Sequence, residues 1–267
     1  MINVIIPAYN CTAMLGRTLA SLAAQTDPDF SVIIVDDCST ENLLPIVDDY
    51  RNKLRIKYIR KPENQGCGMA RQTGIDNVTA SHFTFLDADD ILMPYAVEVF
   101  NQHIKANPRC EYVHSHFYEQ TVTRDGNPAY LLHTNGFVWC HGKLYSAEAV
   151  KRWGIRNDPT IRWADDSFFN SMCSELLKME TIPQPMAIWT NTKTSAMRKA
   201  DPFREREKVK DFLTAMLLSC EFVAQHKDHI AHVPVTVENI APYVMPNTVE
   251  ADMLNRLVAY MQPISSE

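Results

Sequence analysis

The chain of 267 residues is long enough for one large α/β domain with a helical appendage, and its 46% apolar content excludes wholesale disorder. Its net charge of −6 excludes the global positive charge that holds nucleic acid or an anionic membrane. The seven cysteines are scattered without a CxxC pair, which predicts reduced thiols in a cytoplasmic protein. We expect neither a secretory signal nor a transmembrane segment, because no apolar run reaches about 18 residues.

The first hundred residues alternate between strand and helix patterns. Short apolar runs predict strands at residues 4–6, 30–35, 54–59 and 82–86. Apolar residues at helical spacing predict helices over residues 12–25, over residues 70–78 and after Pro94. This alternation predicts the α/β fold class, with a mostly parallel sheet and helices on both faces. Ligands bind such sheets at the carboxyl ends of the strands.

The pattern changes after residue 110. Residues 111–123 and 129–132 flank a turn signal, which predicts a hairpin. Apolar spacing over residues 164–176, and again from residue 203 onward, predicts helices. We therefore expect an α/β domain over residues 1–200 and a C-terminal helical extension over residues 201–267.

The strongest chemical signal is the run Asp87-Ala88-Asp89-Asp90, which directly follows the fourth predicted strand. In an extended backbone Asp87 and Asp89 point to the same side, and two such charges raise each other's pKa unless a cation neutralises them. Because Mg²⁺ and Mn²⁺ prefer carboxylate and phosphate oxygens, the run predicts a divalent metal site. The alternative is a solvated loop, or an N-cap of the next helix.

Three weaker signals have ordinary structural explanations when each is taken alone. Asp36 and Asp37 end the second predicted strand, where a carboxylate accepts hydrogen bonds from a nucleobase or simply caps a turn. The Gly-containing turn at residues 64–72 leads into a helix and resembles an anion-binding nest. Asp165 and Asp166 begin a later helix, where acidic residues are common because of the helix dipole.

Taken together, these segments resemble glycosyltransferase family 2, which has the GT-A fold. The resemblance runs from Ile2 to about Phe169, with a weaker stretch from Thr190 to Arg198. It rests on six motifs in the order of the family, namely residues 4–10, 35–37, 64–71, 86–90, 141–145 and 164–166.

The resemblance implies that the chain binds a nucleoside diphosphate sugar, which we expect to be a UDP-sugar. Tyr9 is expected to stack on the nucleobase, and Asp37 to hydrogen-bond it, with Asp36 as the alternative. The residues expected to bind the donor are Pro7, Ala8, Tyr9, Asp36, Asp37, Asn64, Gly66, Arg71, Asp87 and Lys143.

The resemblance also implies an inverting transfer to an acceptor hydroxyl, which we expect to belong to a glycan or another carbohydrate. Asp89 and Asp87 are expected to bind Mn²⁺ or Mg²⁺. Asp166 is expected to be the catalytic base, with Asp165 as the alternative. The chain departs from the usual family pattern at Cys38, where Gly is common.

Three other functions remain open from the sequence. A nucleotidyltransferase would use the same carboxylates with a metal but would release pyrophosphate. A non-catalytic carbohydrate-binding protein would keep the fold without turnover. The basic-leaning segment 193–210 is typical of a solvated helix face. It is also compatible with closure over the donor diphosphate, or with a DNA acceptor that carries a hydroxylated base. Four tryptophans are interpreted as core residues that could instead stack on sugar rings, namely Trp139, Trp153, Trp163 and Trp189.

Overall fold

The structure is a computed structural model that describes residues 1–123, 125, 127–134, 139–190, 202–226 and 248–261. Its strands are β1 (Ile2–Ala8), β2 (Phe30–Asp36), β3 (Ile56–Arg60), β4 (His82–Phe85), β5 (Ile91–Leu92), β6 (Tyr112–Val122), β7 (Pro128–His133), β8 (Lys143–Ser146) and β9 (Met179–Thr190). Its helices are α1 (Thr12–Ala23), α2 (Leu44–Asp48), α3 (Cys67–Asp76), α4 (Ala96–Ala106), α5 (Ala147–Trp153), α6 (Asp165–Leu176), α7 (Pro202–Ala224) and α8 (Val249–Met261).

The first four strands form the predicted parallel sheet, in the order β3-β2-β1-β4. β1 is central, with Ile5 paired to Ile33 of β2 and to Phe85 of β4. Every residue of β1 is buried, because a central parallel strand is covered on both faces and therefore has an unbroken apolar sequence. The carboxyl ends of β1, β2 and β4 consequently meet at one edge of the sheet, where the acidic motifs follow.

The second half of the chain extends this sheet with antiparallel and parallel pairs, in the order β4-β8-β6-β9-β5. β6 pairs in parallel with β9, while its other edge is shared by β8 and β7. β6 and β7 form the predicted hairpin, with Phe117 opposite His133. The two-residue strand β5 starts directly after Asp90 and pairs with β9, so the acidic run lies between β4 and β9.

The core has two layers, one on each face of the sheet. Alternation along β1 turns Ile5 toward one layer and Val4 toward the other. The first layer also receives Met216 and Cys220 of α7, which packs against α6. The predicted C-terminal helices therefore share the core of the α/β domain. The boundary that we predict near residue 200 lies outside the described residues. Within the described part of the chain, no helix combines the length and apolar character that crossing a membrane requires.

Candidate active site

The acidic run after β4 is held by contacts from β1 and α1 and by a hydrogen bond within its own backbone. The amide of Leu86 donates to the carbonyl of Ile5 at 3.0 Å, which keeps the start of the run paired with β1. The hydroxyl of Thr18 on α1 donates to the carbonyls of Ala88 and Asp90, both at 2.8 Å. The backbone then turns, with the amide of Asp90 donating to the carbonyl of Asp87 at 3.0 Å. The run is therefore a fixed turn rather than an extended loop.

Three side chains near this turn bring possible metal ligands together. The ligand atoms of Asp87, Asp90 and His141 all lie within 4.8 Å of one another. Asp90 Oδ1 accepts a hydrogen bond from the amide of Thr190 at 2.7 Å. Its buried Oδ2 makes no hydrogen bond and lies 3.3 Å from His141 Nδ1. Asp89, which we predict as a ligand with Asp87, lies beside this group rather than within it.

The electrostatics of the turn fit a divalent cation. Burial, together with the charge of Asp87, raises the pKa of Asp89 to about 6. Burial and the charges of Asp87 and Asp89 raise the pKa of Asp90 well above its usual range. Burial lowers the pKa of His141 to about 4, so its imidazole is neutral at pH 7. Crowded carboxylates, a neutral imidazole and an unbonded carboxylate oxygen make a donor set that suits Mn²⁺ or Mg²⁺.

The sequence pointed to this site without identifying all of it. Asp90 belongs to the predicted acidic run, and His141 begins one of the six family motifs, but neither is among the predicted ligands. The two residues are 51 positions apart in the chain, so only the pairing of strands brings them together.

Arg71 of α3 connects the acidic turn to α6. One terminal nitrogen of its buried guanidinium donates to Asp87 Oδ1 at 2.6 Å, and the other contacts Asp165 Oδ2. The guanidinium carbon lies 5.7 Å from the centre of the Phe85 ring. An arginine is always charged and offers donors in a planar fork, so it can bind two carboxylates at once.

The first turns of α3 and α6 almost touch. A Cβ atom added to Gly68 would lie only 2.7 Å from Cβ of Asp165, which is closer than real side chains approach. Gly68 therefore allows Arg71, one turn later on α3, to reach Asp165.

Asp166 follows in the first turn of α6 and is partly exposed. Its Oδ1 accepts a hydrogen bond from the amide of Ser167 at 2.7 Å. Burial, together with the charge of Asp165, raises the pKa of Asp166 to about 7. A carboxylate with a pKa near neutrality accepts and releases protons readily at that pH, which is the property that a general base requires.

A residue of the C-terminal helix α7 fixes the segment that precedes Asp166. The carboxylate of Asp211 accepts hydrogen bonds from the amides of Arg162, Trp163 and Ala164, at 2.9, 2.7 and 3.0 Å. These amides lie immediately before α6 and are not bonded within it. No local sequence pattern indicates this contact, because acidic residues on a helix surface are common.

The two aspartates at the end of β2 have different surroundings. Asp36 is fully buried and accepts hydrogen bonds from the hydroxyl of Tyr58 at 2.6 Å and from Arg60 at 2.5 Å. Asp37 forms a 2.7 Å ion pair with Lys61 and accepts a 2.7 Å hydrogen bond from the amide of Gly66. Asp37 thus ties β2 to the turn before α3.

The remaining predicted donor residues lie around the same edge of the sheet. Asn64 donates from Nδ2 to the carbonyl of Asp37 at 3.2 Å. Gly66 precedes α3 with φ of 90°, a conformation that favours glycine. Pro7 and Ala8 are buried in β1, whereas the side chain of Tyr9 is 49% exposed and free to contact a ligand.

Two residues beside this edge adopt left-handed backbone conformations without being glycine. Asn10 has φ of 47° and Cys38 has φ of 62°. Asn10 Oδ1 accepts hydrogen bonds from the amide and hydroxyl of Thr40, which ties the end of β1 to the loop after β2. Such strain persists only where the surroundings hold it, and it is concentrated at functional sites.

Lys143 lies at the start of β8 and is fully buried. Its Nζ contacts Nδ1 of His114 on β6. Burial lowers the pKa of Lys143 to about 7. The lysine is therefore part of the interior beneath the site, two residues from His141.

An aromatic cluster adjoins the acidic turn. The ring of Trp189 stacks on His141 at a centroid distance of 5.6 Å and lies 5.9 Å from Trp139. Trp139 also meets His133 edge-on at 5.1 Å, and Phe117 lies beneath His141 at 5.1 Å. Trp139 and Trp189 are partly exposed. Two of the four tryptophans therefore lie beside the candidate metal ligands.

Solved structures share this fold. The structure of residues 1–349 of Staphylococcus aureus TarS in complex with UDP-GlcNAc matches with a TM-score of 0.72 at 22% identity, over 97% of this chain and 73% of that chain. A mannosyltransferase from Pyrobaculum calidifontis, in complex with GDP-Man and Mn²⁺, matches with a TM-score of 0.55 at 16% identity, over 97% of this chain and 85% of that one. The predicted GT-A fold, with its C-terminal helices, is confirmed.

Sequence comparisons give the family. The chain is 32% identical to the chondroitin synthase of Escherichia coli over 151 residues, which are 56% of this chain and 21% of that protein. It spans less than half the length of each of the first curated relatives that it matches. The model of glycosyl transferase family 2 matches residues 3–155. This match covers more than half of the chain, which therefore belongs to glycosyltransferase family 2.

Proposed function

We propose that the chain transfers a sugar from a nucleoside diphosphate sugar, preferentially a UDP-sugar, to a hydroxyl group of a carbohydrate acceptor. The observation that carries this proposal is the bridge formed by Arg71. It links Asp87, in the candidate metal group, to Asp165, the neighbour of the candidate base Asp166. A candidate site for the metal that would accompany the diphosphate therefore lies close to Asp166, the carboxylate proposed to accept the proton.

The donor would bind at the carboxyl ends of β1, β2 and β4. The exposed ring of Tyr9 offers a stacking surface for the base. Asp37, which directly follows β2, offers a carboxylate to hydrogen-bond the base. Asp87, Asp90 and His141, with Asp89 beside them, would hold Mn²⁺ or Mg²⁺, which would supply positive charge for the departing diphosphate. The complexes of TarS with UDP-GlcNAc and of the archaeal mannosyltransferase with Mn²⁺ support this assignment.

The transfer is a single displacement with inversion. The acceptor oxygen forms a bond to the anomeric carbon as the bond from that carbon to the diphosphate oxygen breaks, and its electron pair leaves with the diphosphate. Asp166 removes the proton of the attacking hydroxyl. Arg71 keeps Asp165 paired, so that the adjacent carboxylate stays free for this proton.

The aromatic cluster supports a carbohydrate acceptor. The rings of Trp139 and Trp189 present apolar surfaces beside His141, and such surfaces pack against the faces of sugar rings. The relatives include a chondroitin synthase and TarS, which is named as a poly(ribitol-phosphate) beta-N-acetylglucosaminyltransferase. Most of the basic-leaning segment that would favour a DNA acceptor lies outside the residues whose side chains are described.

The test is to incubate the chain with Mn²⁺ and a panel of UDP- and GDP-sugars, with and without short oligosaccharides, and to identify every product. We expect release of the nucleoside diphosphate and an inverted anomeric linkage in the product. Parallel incubations supply a nucleoside triphosphate with a sugar phosphate, or DNA that carries a hydroxylated base. Release of pyrophosphate in the first of these would identify a nucleotidyltransferase. An absence of hydrolysis and transfer with all donors would identify a carbohydrate-binding protein. Acceptor binding that weakens steeply with added salt would favour DNA.

A further inference from the structure

A second set of metal-ligating side chains lies at the opposite end of β4 from the acidic turn. The ligand atoms of His103, Cys110 and Glu180 all lie within 4.8 Å of one another. His82, the first residue of β4, donates from Nε2 to the carbonyl of Cys110 at 3.0 Å. The acidic turn follows the last residue of β4. The two sets are therefore separated by the length of the strand, roughly 15 Å.

We propose that His103, Cys110 and Glu180 bind one Zn²⁺ ion, which fastens α4 to β6 and β9. This proposal is independent of the proposed transfer reaction, because none of the three residues belongs to the candidate active site.

The backbone holds the three residues in place from different elements. His103 is in the last turn of α4, and its carbonyl accepts from the amide of Asn107 at 2.8 Å. The amide of Cys110 then donates to the carbonyl of Asn107 at 2.9 Å, so the connection from α4 to β6 is a pair of successive turns. Glu180 lies on β9 opposite Val113 of β6. The set is thus assembled by secondary structure and not by a loose loop.

The ligand chemistry selects Zn²⁺ over the cations expected at the acidic turn. A thiolate, an imidazole and a carboxylate form a sulfur, nitrogen and oxygen set, whereas Mg²⁺ and Mn²⁺ prefer oxygen ligands. Tetrahedral ligands at zinc bond lengths lie roughly 3.3–3.6 Å apart, so side-chain movements of about 1 Å close the set around an ion. Three protein ligands leave the fourth position to water.

Accessibility is also consistent with entry of an ion. The side chains of His103 and Glu180 are 18% and 21% exposed, while Cys110 is 3% exposed and forms the inner wall. His103 Nε2 already lies 2.9 Å from Glu180 Oε2. An ion pair between these two residues needs no metal, so the involvement of the Cys110 thiol is what separates a zinc site from a simple ion pair.

The experiment uses Co²⁺ as a spectroscopic probe in the full chain after treatment with a chelator. Coordination by a thiolate gives an intense near-ultraviolet charge-transfer band, which oxygen and nitrogen ligands at the acidic turn do not give. We expect this band in the native chain and in Cys140→Ser, whose cysteine is next to His141. We expect it to be lost in Cys110→Ser.

If Cys110→Ser folds poorly, substitutions of the other two ligands test the proposal instead. His103→Gln and Glu180→Gln should each weaken Zn²⁺ binding by about tenfold or more in competition with a chelator of known affinity, with unchanged circular dichroism. Zn²⁺ should raise the Tm of the native chain more than that of Cys110→Ser, which keeps only the donor set at the acidic turn. Absence of the band at saturating Co²⁺, or a band that survives in Cys110→Ser, would overturn the proposal. Neither result would alter Mn²⁺-dependent release of a nucleoside diphosphate.

Discussion

Arg71 and Asp165 form a buried ion pair that joins the first part of α3 to the first turn of α6. The same guanidinium holds Asp87 at 2.6 Å. Residues that follow β4 and residues that begin α6 therefore depend on one side chain for their relative position.

Arg71→Met should destabilise the chain and abolish transfer, because it leaves Asp87 and Asp165 without their shared partner. Removing one member of a buried ion pair costs about 3–5 kcal/mol. Arg71→Lys should recover only part of the stability, since one ammonium group cannot reproduce the planar fork. Denaturant unfolding measures the stability of both variants. The matched control is Arg156→Met, which breaks an exposed pair with Asp76 and should cost at most about 1 kcal/mol. Equal effects of the two Met variants would contradict the role of Arg71.

Gly68→Ala should lower the turnover number strongly and lower the free energy of unfolding only slightly. Its new Cβ would meet Cβ of Asp165 at 2.7 Å, so α6 has to move away from α3 and carry Asp166 with it. A misplacement of about 1 Å costs roughly a hundredfold in rate. The control is Gly16→Ala on α1, where the nearest atom is 3.9 Å away and the helix should gain about 0.5–1 kcal/mol. Steady-state kinetics and thermal unfolding separate the two outcomes.

Asp166→Asn should lower turnover by about 10²–10⁴-fold and leave donor binding nearly unchanged. The base must be ionised to accept a proton. With the pKa of Asp166 raised to about 7, kcat/KM should fall as the pH drops below about 7 and level off above it. Asp165→Asn removes the neighbouring negative charge, which should lower that pKa and move the fall toward more acidic pH. A profile that stays unchanged in Asp165→Asn, or activity retained in Asp166→Asn, would reject Asp166 as the base.

Asp211→Ala should reduce turnover although Asp211 lies on the C-terminal helix α7. Three amides before α6 lose their acceptor. The hydrogen bonds of Trp163 and Ala164 are partly buried, and an unsatisfied buried donor costs about 1–3 kcal/mol, whereas the exposed amide of Arg162 bonds to water instead. We expect a drop of about tenfold or more in turnover, together with a lower Tm. Glu207→Ala removes an exposed acidic residue one turn earlier on the same helix and should change neither quantity appreciably. A null effect of Asp211→Ala on both measurements would show that α7 does not position the base.

Trp189→Ala should raise KM for the acceptor by about three- to tenfold and leave hydrolysis of the donor unchanged. The expected size corresponds to the loss of one aromatic contact of about 0.5–1.5 kcal/mol. Trp189→Phe should restore most of the affinity because it keeps a flat apolar ring beside His141. Saturation curves for donor and acceptor, measured separately, check the assignment. A rise in KM for the donor alone would show that Trp189 contacts the donor and not the acceptor.

The sequence predicted well the elements whose apolar pattern is continuous. β1, β2 and β4 are buried runs, and α1 has a clear apolar stripe. It missed β5, which is two residues long, and β8, which is a short fully buried segment, because neither is long enough to show a period. Their existence depends on pairing with β9, β4 and β6, which are distant in the chain.

The sequence predicts candidate site residues at strand ends and at the start of α6, and it does not indicate the ones that distant segments bring to the same place. Asp87 and Asp166 belong to motifs that the sequence displays. The contributions of His141 and Asp211 result from tertiary packing. His141 begins a family motif that does not indicate a ligand, and no local pattern distinguishes Asp211 from other surface residues. The roles of the predicted donor residues remain predictions that the variants above can test.

The contact between Gly68 and Asp165 also sets a rule for recombining this chain with its relatives. Crossovers that separate residues 64–71 from residues 162–166 would join one parent's glycine turn to another parent's helix start, and most such hybrids would clash or leave a gap. Hybrids of this chain with its relatives should therefore inherit both of these short segments from a single parent.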